Sequence, residues 1–212
     1  MKVPAFLPRG MGWAYKPAAL ALLFAVLAAL ASLPVRNFLE TSMVRHMLVQ
    51  YPLLMLCGAL AASGLSAAST GHAAARRMSV ANWNAHGITG LAGAALALAL
   101  LMIPRVLDLA LVNPWVEVVK MSTLVVSGAA IYMSWRPAGW LMQGFFLGQV
   151  LPMMAVAGTL YEISPTRVCN AYLLDDQVLL GQLLVWIAAG TALAWLAALS
   201  RSLIKRSTVP AV

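Results

Sequence analysis

The sequence predicts an all-α polytopic membrane protein, with six transmembrane helices in one bundle, a single domain over residues 1–212, and both termini in the cytoplasm. Three observations lead there. The chain is 62% hydrophobic and only 9% charged, where a soluble domain carries roughly a quarter charged residues. Charge-free stretches recur at lengths that cross about 30 Å of hydrocarbon, a medium in which helices satisfy their own backbone. The remaining charges gather near the ends of those stretches, sorted largely by sign.

The spans follow in order. The first, about 17–35, comes after Lys2, Arg9 and Lys16 and closes at Leu33-Pro34. Its apolar core of about 18 residues is long for the hydrophobic region of a signal peptide, so it is expected to be a retained helix. The second, about 42–66, enters near Ser42 and carries Pro52. The third, about 82–103, opens in Asn82-Trp83-Asn84-Ala85-His86-Gly87 and stops at Ile103-Pro104-Arg105. The fourth, about 112–134, exits through Trp135-Arg136-Pro137, and the fifth runs over about 139–161. The sixth, about 177–199, is preceded by Asn170-Ala-Tyr-Leu-Leu-Asp-Asp-Gln177. There Asp175 and Asp176 are placed to cap its N-terminus, where the helix dipole favours negative charge, or to attract a cation.

With the N-terminus inside, the cytoplasmic segments hold Lys2, Arg9, Lys16, Arg76, Arg77, Arg136, Arg201, Lys205 and Arg206, and no acid. All six acids (Glu40, Asp108, Glu117, Glu162, Asp175, Asp176) fall at or near the outer ends, with Arg36, Arg45, Arg105, Lys120 and Arg167. This is the positive-inside asymmetry. The net charge of +8 therefore marks topology; no basic stripe with interleaved aromatics exists to hold nucleic acid. The expected partner is the lipid bilayer. Cys57 lies deep in a span and Cys169 in a polar loop, so no disulfide joins them in this reading. The loop at about 67–81 is alanine-rich and contains Arg76-Arg77. Gly144-x-x-x-Gly148 and the series Gly87, Gly90, Gly93 offer small faces on which helices can approach closely.

Polar groups inside a span are costly and mark candidate sites. Met43, His46, Met47 and Gln50 recur at i, i+3, i+4 and i+7, on one helix face near the outer end of the second span. Thioether and imidazole donors suit Cu(I), so Met43, His46 and Met47, with Asp176 from the last helix, form a candidate metal site. The plainer reading of the same residues is a Met-filled core beside a hydrogen-bonded interfacial histidine. Bis-histidine haem is excluded by depth, since His86 begins the third span at the inner side while His46 is outside. Glu117 and Lys120, three apart on one helix, are expected to pair. Pro52 and Pro152, at matched depth, free the carbonyls of Leu48 and Gly148 and could open a pocket beneath the outer surface. No nucleophile elbow, CxxC, His-Glu-x-x-His or phosphate loop occurs, and no enzymatic activity is expected.

In this order His46-Met47, Pro114, Glu117, Trp135-Arg136-Pro137, Tyr161 and Asp176-Gln177-x-x-x-Gly181 resemble the CtaG-like membrane proteins, assembly factors of caa-type cytochrome c oxidase. The resemblance covers about residues 43–186, and Asp-Gln-x-x-x-Gly is its most specific part. The second histidine of that family falls on Gln50 or Tyr51 here, and the one beside its glutamate falls on Val118. The expected tryptophan is offset by one, at Trp186, and six spans stand where the family has seven. The resemblance implies a divergent, shortened relative in the bacterial inner membrane. Its role would be that of an accessory or assembly protein for a copper-containing respiratory complex, handling copper at the outer face beside other oxidase-type subunits. The residues alone leave two alternatives: a structural membrane subunit without a metal, or a small transporter or channel. Transport is disfavoured, because no ionisable residue lies in the inner half of a span.

Overall fold

A computed structural model describes residues 17–67, 84–169 and 171–207. The expected segment at about 67–81, with Arg76-Arg77, lies almost entirely outside the described residues. Those described are helical or in turns, and none forms a strand.

The chain runs through α1 (Pro17–Ala31), α2 (Leu33–Glu40), α3 (Met43–Arg45), a π turn (His46–Gln50), α4 (Tyr51–Ala67), α5 (Ile88–Leu101), α6 (Pro104–Val112), α7 (Pro114–Ile163) and α8 (Leu174–Ser207). Three stretches are long and apolar enough to cross a membrane: Met43–Gly64, Pro114–Ile163 and Leu174–Ile204. Two bent pairs raise the number to five.

Both bends have a local cause. The first expected span, drawn to residue 35, instead breaks at Ser32, and α2 departs at 61° with Pro34 in its opening turn. The third breaks after Leu101, and α6 turns through 74° with Pro104 at its start. Proline has no N–H to bond back into a preceding helix, and its fixed φ suits a first turn. Pro34 and Pro104 therefore end one helix and start the next.

Helix α7 needs a different account. Fifty residues in a straight helix would run about 75 Å, more than twice the hydrocarbon thickness. Gly139 breaks it, with φ 61° and ψ 179°, a conformation that glycine adopts without the Cβ penalty. The chain reverses there: Gln143 Nε2 donates to the Trp135 carbonyl at 2.7 Å, and the Trp135 and Phe146 rings lie 6.3 Å apart. In a straight helix eleven residues would separate those rings by about 16 Å. The fourth and fifth expected spans are thus the two arms of a helical hairpin.

Small residues set the closest approaches, at Gly87 and Gly90 as expected and at four further glycines. A Cβ on Gly58 would fall on the Val125 carbonyl, and one on Gly128 on the Met55 carbonyl, so α4 and the first arm of α7 touch backbone to backbone. Gly158 and Gly181 do the same for the second arm and α8: a Cβ on Gly158 would lie 2.6 Å from the Gly181 carbonyl oxygen, and one on Gly181 would lie 2.5 Å from that of Gly158. Of the expected pair, Gly144 meets the Trp195 ring, while Gly148 and Gly93 face open space.

Candidate functional site

The bundle has two ends. The turn beginning α5 and the reversal at Gly139 form the hairpin end, where Gly87 packs on Ser134 and Ala138. Fourteen residues away along α7, about 21 Å, Lys120 marks the other, the cluster end.

Around Lys120 the buried charges converge. Its Nζ lies 2.7 Å from a Glu117 oxygen, as their spacing predicts, and 3.4 Å from Glu40 on α2. Glu40 also pairs with Arg36 at 3.3 Å, one turn back on the same helix. The third partner of Lys120 is His46 Nε2 at 2.8 Å, and His46 Nδ1 is hydrogen-bonded to the Tyr172 hydroxyl from the loop before α8. His46, Lys120 and Glu117 are each no more than 2% exposed. Helix α2, the π turn, α7 and the loop before α8 are therefore tied by one polar network.

Donor chemistry fixes the imidazole. An ammonium only donates, so Nε2 accepts from Lys120, and in the neutral ring Nδ1 then carries the hydrogen and donates to Tyr172. Both nitrogens are in use.

The π turn is what brings Tyr51 into the cluster. A π turn closes i to i+5, aligning His46 with Tyr51 rather than with Gln50. Their rings meet edge to face with centroids 5.5 Å apart, and the Lys120 ammonium sits 6.0 Å from the Tyr51 ring. The distortion ends at Gln50, two residues before Pro52, which cannot bond back to Leu48. Gln50, displaced from the stack, is fully buried, and its amide has no hydrogen-bond partner among the described residues.

Next to the cluster lies an apolar cavity of about 710 Å³, with Leu48 and Pro52 on one wall and Val150, Met153 and Met154, flanking Pro152, on another. Pro52 lines it, as expected, whereas Pro152 lines a separate cavity with Gly148, Leu151 and Trp195. Tyr51 belongs to both places, lining the cavity while its ring faces His46 and Lys120.

The four candidate metal residues are placed as follows. Met43 and His46 are fully buried, and Met47 is buried in the cavity wall. Asp176 is half-buried in the first turn of α8 and forms no ion pair among the described residues. No group of three or more His, Cys, Asp and Glu side chains among the described residues is arranged to hold a metal ion. With Lys120 on Nε2 and a proton on Nδ1, His46 has no open lone pair for copper, and a cation already stands where the ion would approach. The residues as arranged do not fit the metal.

Cys57 and Cys169 are both free and buried. The Cys169 thiol, in the loop outside the spans, is pushed up to about 12 by burial and then by the nearby Asp108 carboxylate, which makes it a poor source of thiolate. Burial, reinforced by Glu40, also raises the Tyr172 hydroxyl, keeping it in its neutral form.

The Asp176-Gln177-x-x-x-Gly181 element has a packing role that sequence reasoning did not assign. Gln177 is 1% exposed; its Oε1 accepts from Val168 N–H at 2.8 Å and its Nε2 donates to the Tyr161 carbonyl at 3.1 Å. It thus fixes the loop that carries Tyr172, while Gly181 permits the contact with Gly158. Glu40, Tyr51 and Tyr172 were missing from the expected site. Only the rarity of acids and tyrosines beside apolar stretches could have flagged them, since Tyr172 lies 126 residues from His46. Comparisons of the chain with protein-family models, with curated proteins and with solved structures find no match.

Proposed function

We propose that the chain is a six-span protein of the bacterial inner membrane, both termini cytoplasmic, that serves as a non-enzymatic accessory or structural subunit of a larger membrane complex. Dividing α7 at Gly139 adds one span to the five that length and composition provide. The observation that carries the functional reading is the closed state of the buried network. Glu117 and Lys120 answer each other's charge within the bundle, and both His46 nitrogens are occupied. Such a network acts as a latch that specifies how α2, the π turn, α7 and the loop before α8 fit together. Confined to one end, it supplies no relay across the bilayer.

The resemblance to CtaG-like factors supports an oxidase-type complex as the partner. Copper handling through His46 would require Lys120 to leave Nε2 first. Mild detergent extraction, with identification of co-purifying subunits and copper and haem analysis under reducing conditions, tests the reading. The expected result is a stoichiometric membrane partner and no retained copper. Copper at about one ion per chain on these soft donors, lost in His46→Ala, would replace the latch with a copper site. Failure to recover any partner would remove the accessory role.

A further inference from the structure

The apolar cavity beside the cluster has the dimensions of a lipid tail. Along one wall Met47, Tyr51, Met55 and Ala59 follow one another at intervals of four, so the groove extends over twelve residues, about 18 Å. One leaflet of a bilayer contributes about 15 Å of hydrocarbon, half of the usual thickness. The other walls come from α5, through Leu98, from both arms of α7 and from α8. Water entering this space would find almost no polar partner, which makes it a poor occupant. The groove is partly open, and its mouth lies among helices whose exposed side chains are themselves apolar.

Charge identifies the head. Arg45 does not itself line the groove but stands three residues before Leu48, which does, at the cluster end. Its guanidinium rests 4.4 Å over the Phe38 ring and donates to Thr41 Oγ1 at 2.8 Å, and it has no carboxylate partner among the described residues. A guanidinium has five N–H donors in a planar fork suited to phosphate, and here most of them are uncommitted.

We propose that the groove holds one acyl chain of an anionic glycerophospholipid, with the lipid phosphate on Arg45. The inference rests on the chain being a membrane protein and concerns the groove, which shares Tyr51 with the His46 network but uses none of its charged groups. The test is native mass spectrometry of the full chain released from detergent containing equal amounts of dipalmitoyl phosphatidylglycerol and dipalmitoyl phosphatidylcholine. The wild type is expected to retain one phosphatidylglycerol. Ala59→Phe and Leu98→Trp, which fill the groove from opposite walls, are expected to lose it. Arg45→Gln is expected to reduce the preference for phosphatidylglycerol about tenfold, the value of one charge-assisted contact. A wild type that retains no lipid, or two folded groove-filled variants that retain as much as the wild type, would overturn the proposal. Equal retention of the two lipids by the wild type would overturn the assignment of the head. Carbonate-washed membranes from the same cells separate the two levels: a chain that stays in the membrane yet binds no lipid removes this inference alone.

Discussion

At the cluster end, Lys120 gathers Glu117, Glu40 and His46 within 3.4 Å, with Glu117, His46 and Lys120 itself buried and Glu40 partly so. At the hairpin end, Asn84 donates to Ser134 Oγ at 2.8 Å and accepts from the Gly90 N–H at 3.1 Å, and Gln143 donates to a carbonyl, with no charge in these contacts. Both ends join the same helices, but with different consequences. A buried ionic network gains little net stability over apolar packing, yet losing one partner strands a charge in a low-dielectric interior. Neutral hydrogen bonds between membrane helices contribute less and fail more gently. The cluster end should therefore be brittle toward changes of charge. The hairpin end should respond mainly to changes of backbone conformation and volume.

The largest effect is expected from Lys120→Met. It keeps the apolar stem while leaving Glu117 and Glu40 without their shared cation, at a cost of about 3–5 kcal/mol. The double variant Lys120→Met with Glu117→Gln should recover most of that loss, because it removes the stranded charge as well. Denaturation in detergent, followed by tryptophan fluorescence, measures both. A Lys120→Met protein as stable as the wild type would end the distinction between the two ends.

At the hairpin end the sensitive residue should be a glycine. Gly87 has φ 69°, and a Cβ there would lie 2.9 Å from the Ala138 Cβ and against the Ser134 carbonyl. A left-handed non-glycine residue costs about 1–2 kcal/mol before any clash, so Gly87→Ala should lose about 2 kcal/mol. Gly93, inside α5 and facing open space, is the control, and alanine there should be neutral or stabilising by a few tenths of a kcal/mol. Equal stability of the two variants would show that the hairpin end is not held by its backbone.

This contrast bears on what the sequence could convey. The apolar runs, the prolines at 34 and 104 and the Glu117–Lys120 pair were readable because each depends on residues a few positions apart. The break between the fourth and fifth expected spans was marked by Trp135-Arg136-Pro137, although the reversal itself falls on Gly139. The π turn was not readable, since its effect is one of phase: a single extra residue per turn exchanges Gln50 for Tyr51 over His46. Nor were Glu40 and Tyr172 as members of the cluster, 80 residues from Lys120 and 126 from His46 respectively. The stripe Met43, His46, Met47 and Gln50 assumed an undistorted helix, and its metal reading had no means of detecting the ammonium on Nε2. Likewise Gly58 and Gly128 look no different in sequence from Gly93 and Gly148, because the partner backbone decides which glycine is in contact.

The smallest effect is expected from Asn84→Ala, and it is the most discriminating. The substitution deletes the bond to Ser134 and the one from the Gly90 N–H, without stranding a charge. Bonds of this kind between membrane helices average about 0.6 kcal/mol, because the separated helices find other partners. Two of them, on a half-buried residue, should be worth about 1 kcal/mol. The Gly90 amide keeps its place in the first turn of α5, where an N–H has no intrahelical acceptor and is easily solvated. The variant should therefore remain folded, with a denaturation midpoint only slightly below that of the wild type. A loss as large as that of Lys120→Met would mean that the hairpin end depends on its polar contacts as heavily as the cluster end depends on its charges. Burial of polar groups, rather than of charge, would then be what makes an end of this bundle brittle.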